Sequence, residues 1–123
     1  MSNPNITELV DRYLATWNEA DPERRRRLLA DTFSDDARYV DPLMRGGGAA
    51  EIDGLIGAVQ ARFPGFRFAV LGTPNGHGDH VRFSWSLGPA DAEPPIKGSD
   101  VVELRHGKIA NVIGFLDQVP AAA

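Results

Sequence analysis

Three residues of this chain together could make a set that moves a proton: Tyr13, Asp41 and Asp100. A tyrosine hydroxyl, a neutral carboxylic acid and an ionised carboxylate make a proton-transfer set. The carboxylate takes a proton from carbon beside a carbonyl, and the two donors stabilise the enolate oxygen. Each residue also has a plainer reading. Asp100 stands in the alternating run Ile96, Gly98, Asp100, Val102, Leu104, which shares one face of a strand. A carboxylate among apolar neighbours must find partners or take up a proton, and active sites use this to raise an acid's pKa. The alternative is a structural hydrogen bond to backbone or an arginine pair. Asp41 precedes Pro42, and Asp-Pro is ordinary turn chemistry. Tyr13 lies on a helical apolar stripe, where core packing with a bonded hydroxyl is the default.

The elements that must position these residues are legible. Asn5 caps a helix over 6–20, with Glu8 as its capping-box partner. Ile6, Leu9, Val10, Tyr13, Leu14 and Trp17 recur on one face. Asp21-Pro22 opens a second helix over 22–33. Its Arg24 to Arg27 run sits among Asp21, Glu23, Asp31, Asp35 and Asp36, which predicts a solvated face and not a nucleic-acid patch. A short strand over 37–41 leads to a loose glycine loop at 46–48. A third helix over 49–63 carries Ile52, Leu55, Ile56, Val59 and Phe63 and stops at Pro64-Gly65. Strands follow over 66–73, 81–87, 96–104 and 109–118. Turns are predicted at Pro74-Asn75-Gly76, Gly88-Pro89, Pro94-Pro95 and Arg105-His106-Gly107-Lys108. Val81, Phe83, Trp85 and Leu87 share a face. On the last strand Ile109, Ile113 and Phe115 are assigned to one face, and Val112 and Leu116 to the other. The order α-α-β-α-β-β-β-β predicts a single α+β domain over 1–123. Three helices of the N-terminal half pack on a strongly curved, mostly antiparallel sheet, a cone with a central pocket.

Other side chains complete the candidate list. Trp17, Tyr39, Phe63, Trp85 and Phe115 could line an aromatic pocket, though aromatics at core spacing also serve as plain core. Arg82 and Asp117 suit either a pocket or the surface. His77 and His80 have a spacing a metal could use, but they sit in a turn with no further His or Cys nearby, so no metal is expected. His106 reads as an exposed turn residue.

Composition narrows the class. Hydrophobic residues at 42% and charged residues at 24% argue against disorder. A net charge of −4 gives no reason to expect nucleic acid or an anionic membrane as partner. The absence of cysteine excludes thiolate chemistry and disulfides. The first residues lack a secretory pattern, and no apolar run approaches the ~20 residues of a membrane helix, so a cytoplasmic location is expected.

The stretch VDRYLATWNEADPERRRRLLADTFSDDARYVDPL resembles the opening of the bacterial ketosteroid isomerases. There a V-x-R-Y helix leads through N-x-x-D into D-D-A-x-x-x-D-P. The resemblance also places GSDVVEL on that family's acid-bearing strand. The pattern is similar to the wider nuclear transport factor 2 superfamily, including cyclases that resemble the polyketide enzyme SnoaL. The resemblance implies the cone-shaped fold, Tyr13 as oxyanion donor, Asp100 as protonated acid and Asp41 as catalytic base. In the cyclases the acid at the position of Asp100 is the main acid/base. The segment from Tyr13 to Asp41 is longer than in the isomerases, and the loop PLMRGGGA differs, which points away from a steroid.

Three functions remain in play. The first is a cofactor-free isomerase or aldol-type cyclase acting on a small, largely apolar or aromatic carbonyl compound. The second is a binding module with the same pocket and no turnover. The third is an interaction domain whose low-charge sheet face makes a homodimer. A closed apolar cavity holding two carboxylates favours the first, a cavity without acids the second, and a filled cone the third.

Overall fold

The computed structural model describes residues 5–120. Two helices open the chain, α1 (Ile6–Asn18) and α2 (Pro22–Thr32), each started by the predicted cap. Asn5 Oδ1 accepts from the Glu8 N–H at 3.2 Å, and an Asp21 side-chain oxygen accepts from the Arg24 N–H at 2.9 Å, with Pro22 in the first turn. The chain continues as β1 (Phe33–Val40), β2 (Arg45–Gly47) and α3 (Gly48–Arg62). Four strands close it: β3 (Arg67–His77), β4 (His80–Gly88), β5 (Ile96–Arg105) and β6 (Lys108–Gln118). The sheet runs in the order β2-β1-β6-β5-β4-β3. Every neighbouring pair is antiparallel except β1 with β6, which is parallel. The three helices pack on this curved, unclosed mixed sheet. α1 lies against β3, while α3 lies against β1 and β2.

The apolar stripe of α1 explains its seat. Leu9, Val10, Tyr13, Leu14 and Trp17 are all buried, facing Phe33 from the start of β1 and Val81, Phe83, Trp85 and Leu87 from β4. The predicted phase of β4 and β5 holds, and Asp100 is 3% exposed on the inner face. The turn Arg105-His106-Gly107-Lys108 forms where expected. His106 and Gly107 both have positive φ, 52° and 78°, as a two-residue hairpin matched to strand twist requires.

Four local readings are corrected. The glycines at 46–48 are not a loose loop: Gly46 and Gly47 pair with Tyr39 and Arg38 in β2, and Gly48 starts α3. There Glu51 Oε1 accepts from Gly47 N–H at 2.8 Å, replacing a side-chain cap. The triplet Pro74-Asn75-Gly76 lies inside β3, where the register slips between Leu71 and Asn75; the turn comes later, at Gly78-Asp79. Proline in a strand is tolerated at such an irregularity on an edge, and β3 is an edge strand. The Arg24 to Arg27 run is not wholly solvated. Arg25 is buried, its Nε donating to Asp53 Oδ1 at 2.6 Å and its Nη1 to Glu19 O and Gln60 Oε1 at 3.0 Å each. It ties α2 to α3 and to the turn after α1.

The fourth correction concerns β6. Glu103 pairs with Asn111 and Leu104 with Ile109, so Ala110 is an extra residue. The bulge flips the faces on either side of it. Ile109 and Val112 both point inward at 0% exposure, while Ile113 and Phe115 point outward at 40% and 51%.

Candidate functional site

The curved sheet and the helices form a pocket of about 620 Å³ that is partly open to solvent, not the closed cavity expected of an enzyme. Its wall draws on α1 (Tyr13, Leu14, Trp17), the end of β1 (Tyr39, Asp41), α3 (Val59, Phe63), β3 (Phe68), β4 (Trp85, Leu87) and β5 (Ile96, Asp100). Both carboxylates are therefore on one cavity otherwise lined mainly by apolar and aromatic side chains.

Strand order brings the acids together. Asp100 pairs across β5–β6 with Gly114, and Val40 pairs across β1–β6 with Ile113. Asp41, one residue past Val40, therefore falls beside Gly114 from the other side. A Cβ at Gly114 would stand 3.0 Å from Asp100 Oδ1, 3.2 Å from Asp41 Cβ and 3.6 Å from the Tyr39 hydroxyl. A glycine thus leaves open the gap that separates the two carboxylates.

Each acid has a tyrosine. The Tyr13 hydroxyl donates to Asp100 Oδ2 at 2.8 Å, and Trp85 Nε1–H donates to Asp100 Oδ1 at 3.1 Å. The Tyr39 hydroxyl donates to Asp41 Oδ2 at 2.6 Å, while Asp41 Oδ1 accepts from the Leu43 and Met44 backbone N–H groups at 2.8 and 2.9 Å. Burial pushes the Asp100 carboxyl up to about 6; the bonds from Trp85 and Tyr13 pull the other way, and the nearby charge of Asp41 adds to the rise. Burial, then the charge of Asp100, holds the Tyr13 and Tyr39 phenols well above their ordinary value. Both tyrosines therefore remain donors at any physiological pH. A carboxyl that titrates near 6 can give or take a proton close to neutrality.

Seven of the eight predicted site residues meet on this wall: Tyr13, Trp17, Tyr39, Asp41, Phe63, Trp85 and Asp100. Phe115 does not. The β6 bulge turns it to the outer face, where it is half exposed. Arg82 and Asp117 are likewise exposed, and Asp117 Oδ2 accepts from Ser99 Oγ at 2.6 Å. His77 and His80 stand at the tip of the β3–β4 hairpin with ring centroids 5.6 Å apart, and His80 Nε2 is 3.6 Å from Glu103 Oε2. Among the described residues no group of three His, Cys, Asp or Glu side chains is arranged to hold a metal.

Sequence reasoning missed Phe68, Val59 and Leu116 as lining residues. Phe68 had a usable signal. It pairs with Leu87 across β3–β4, next to the strand face already assigned to the pocket. Trp85 was read only as an aromatic wall, yet it shares a strand face with Asp100's partner Phe83, within diagonal reach of the acid.

The SnoaL-like domain profile matches residues 10–112. The chain belongs to the SnoaL-like family. Among solved structures, it is 48% identical to a SnoaL-like family protein from Agrobacterium tumefaciens provisionally named an isomerase, with 90% of this chain and 96% of that one aligned at a TM-score of 0.86. A Sinorhizobium meliloti protein provisionally named a polyketide cyclase is 18% identical, with 87% and 93% covered at a TM-score of 0.68. A Catenulispora acidiphila protein of ketosteroid isomerase-like fold, solved with trimethylamine, is 21% identical, with 92% and 85% covered at a TM-score of 0.70. Comparison with curated proteins finds no match. The last two likenesses concern the fold alone, and it is the fold expected for this SnoaL-like chain.

Proposed function

We propose that this SnoaL-like protein is a cofactor-independent acid–base enzyme, an isomerase or aldol-type cyclase acting on a small, largely apolar carbonyl compound. The observation that carries the proposal is the pair of carboxylates facing each other across Gly114 in an aromatic pocket, one of them titrating near 6. Asp41 takes a proton from carbon beside the carbonyl. The Tyr13 hydroxyl turns from Asp100 to the carbonyl oxygen and donates to it as charge develops. An apolar ligand expels the remaining water and raises Asp100 further. Asp100 then binds a proton and becomes the second donor. The enolate is reprotonated at another carbon by the acid form of Asp41, or its carbon attacks a second carbonyl within the same molecule and the alkoxide formed there takes the proton back from Asp41. Donors fixed before the reaction stabilise charge that appears only in the transition state.

The test is a screen of β,γ-unsaturated ketones and polyketide-like aromatics against wild type and Asp41→Asn. Turnover by wild type that is lost in Asp41→Asn supports the reading. Turnover that survives unchanged in Asp41→Asn removes Asp41 from the mechanism and leaves Asp100 acting alone.

A second reading rests on the rings. Tyr39, Trp17, Phe68 and Trp85 line the pocket with the acids, with centroids 5.4–5.5 Å apart in successive pairs. Aromatic faces beside carboxylates suit an organic ammonium, and the trimethylamine complex of the Catenulispora protein fits that chemistry. Calorimetric titration separates the two: binding of trimethylammonium but of no neutral ketone favours a module without turnover.

For assembly we propose a homodimer through the outer sheet face. Val40 and Ile113 are cross-strand partners there, 41% and 40% exposed, with Phe115 beside them. Light scattering at micromolar concentration is expected to give the mass of two chains, and Phe115→Glu the mass of one. A wild-type mass of one chain rules the dimer out.

A further inference from the structure

Asp100 has two donors that differ in freedom. The Tyr13 hydroxyl hydrogen rotates about its C–O bond, so it can leave Asp100 Oδ2 for an oxygen in the pocket. The Trp85 N–H lies in the plane of its ring and moves only if the indole moves. The indole is fixed. Trp85 pairs with Gly98 across β4–β5, and its six-membered ring lies where a side chain at 98 would be. A Cβ on Gly98 would stand 2.7 Å from Trp85 Cε2 and 2.5 Å from the Phe115 carbonyl oxygen, too close for either to stay in place. Phe68 packs edge-on against the ring at 5.4 Å. From this seat Nε1 reaches diagonally to Asp100, two residues along β5 on the same face. The oxygen it holds, Oδ1, is the one 3.0 Å from the empty Cβ position of Gly114, the side on which Asp41 lies.

We propose that Trp85 is a positioning residue, seated by Gly98, that keeps the Asp100 carboxyl turned toward the gap while Tyr13 transfers its hydrogen bond from Asp100 to the ligand. The proposal rests on the acid–base reading of the pocket. Without Trp85, Asp100 would lose its orientation at the moment Tyr13 leaves, because no other donor reaches it among the described residues. Trp85 also pulls the titration of Asp100 downward, so its loss has a measurable sign.

The chain supplies its own control, since it holds two tryptophans. Trp85 Nε1–H is bonded directly to Asp100, whereas Trp17 Nε1–H makes no well-formed hydrogen bond and is near only the Tyr13 hydroxyl. In ¹H–¹⁵N spectra of the ligand-free protein the Trp85 indole resonance should titrate with the midpoint of the Asp100 carboxyl, near 6. That titration should vanish in Asp100→Asn, and the Trp17 resonance, which can sense the carboxyl only through Tyr13, should follow it more weakly. Trp85→Phe keeps an aromatic wall and removes the donor. It should raise the Asp100 midpoint by about one unit, a roughly tenfold gain in proton affinity. Gly98→Ala should do the same with the indole still present. With a substrate in hand, Trp85→Phe should lower kcat more than it changes KM, and the pH profile should move by the increment seen in the carboxyl titration. A Trp85 indole that ignores Asp100, or an unmoved Asp100 midpoint in folded Trp85→Phe, overturns the proposal. If Gly98→Ala does not fold, the indole titration and Trp85→Phe decide. These spectra need no substrate, so absent turnover would count against the enzyme reading alone, while a silent indole counts against the positioning role.

Discussion

The two tyrosine–aspartate pairs have the same chemistry and opposite origins. Tyr39 and Asp41 are two residues apart at the end of β1, and the turn that follows gives Asp41 two backbone donors as well. Tyr13 and Asp100 are 87 residues apart, on a helix and a strand, and their bond lies in the buried core. A phenol donates to a carboxylate in both. What separates them is solvent: Asp41 is partly exposed at the rim, whereas Asp100 is 3% exposed. For Asp100 the burial outweighs two hydrogen bonds that favour its charged form, and the carboxyl rises to about 6. Desolvation thus does more than hydrogen bonding to set where the Asp100 carboxyl titrates. The local pair can present a carboxylate to a ligand, and the distant pair can change its proton state when a ligand arrives.

The largest effect expected from this division is at the rim. Asp41→Asn keeps an oxygen for the Leu43 and Met44 N–H groups, so the turn should survive. If Asp41 is the base, turnover should fall by ~10²–10⁴, with ligand affinity by calorimetry near the wild-type value. A matching loss of affinity would instead make Asp41 a binding group.

Next in size is the buried pair. Asp100→Ala leaves the Tyr13 hydroxyl and the Trp85 N–H without an acceptor in the core, which costs about 1–3 kcal/mol of stability per donor. Asp100→Asn is milder. Its amide oxygen can take the Trp85 bond, and its amide N–H can donate to a Tyr13 hydroxyl that has rotated. Asp100→Ala should slow turnover by about 10²–10³ as a lost donor does, and Asp100→Asn, which keeps a donor of similar shape, by less; chemical denaturation should separate them too, with Ala clearly the less stable. Equal stabilities would mean that the two donors find water instead.

Much of this is legible in the sequence, and the failures share a cause. Strict alternation on 96–104 put Asp100 on the inner face, because that strand has no bulge between Gly98 and Glu103. The same alternation failed on β6, where a single extra residue, Ala110, reversed the phase and sent Phe115 outward. Periodicity reads a regular strand and has no term for an inserted residue. The caps of α1 and α2 were readable since Asn5 and Asp21 act within three residues. The burial of Arg25 was not, because its partner Asp53 lies 28 residues on in α3. The adjacency of Asp41 and Asp100 depends on β1 joining β6 in parallel, a pairing of chain ends that no local pattern encodes. The residue pattern singled out Tyr13, Asp41 and Asp100, and the resemblance assigned their roles; the tertiary fold alone revealed Gly114 between the two acids and Trp85 on Asp100.

The titration of Asp100 also bears on stability. Its folded value, about 6, exceeds the ordinary value of ~3.9 for the unfolded chain. The folded state therefore binds this proton more tightly. The stabilising contribution is complete below about 4 and is lost as pH rises through about 6. The full difference is on the order of 3 kcal/mol. Urea unfolding of wild type should show the midpoint concentration falling between pH 4 and pH 7 from this group, and Asp100→Asn should flatten that slope. An identical slope in the variant would mean that Asp100 is as hydrated as Asp41 and would erase the contrast between the pairs.

The smallest effect should be Tyr39→Phe. The hydroxyl lost there is one of three donors to Asp41, and both backbone N–H groups remain. A hydrogen bond to a charged group contributes about 1.5–3 kcal/mol, but the two backbone donors keep the Asp41 carboxylate bonded, so turnover should fall by no more than about tenfold. Tyr13→Phe, by contrast, removes the donor that moves to the ligand and should cost ~10²–10³. The ratio between these two phenylalanine variants measures the asymmetry directly, since each removes one oxygen atom from one tyrosine. Steady-state kinetics on the same substrate gives the ratio. If Tyr39→Phe is the slower enzyme, the hydroxyl at the rim is the one that meets the developing oxyanion. The roles of the two pairs are then exchanged, with Asp100 as the base and the Tyr39–Asp41 pair holding the oxygen.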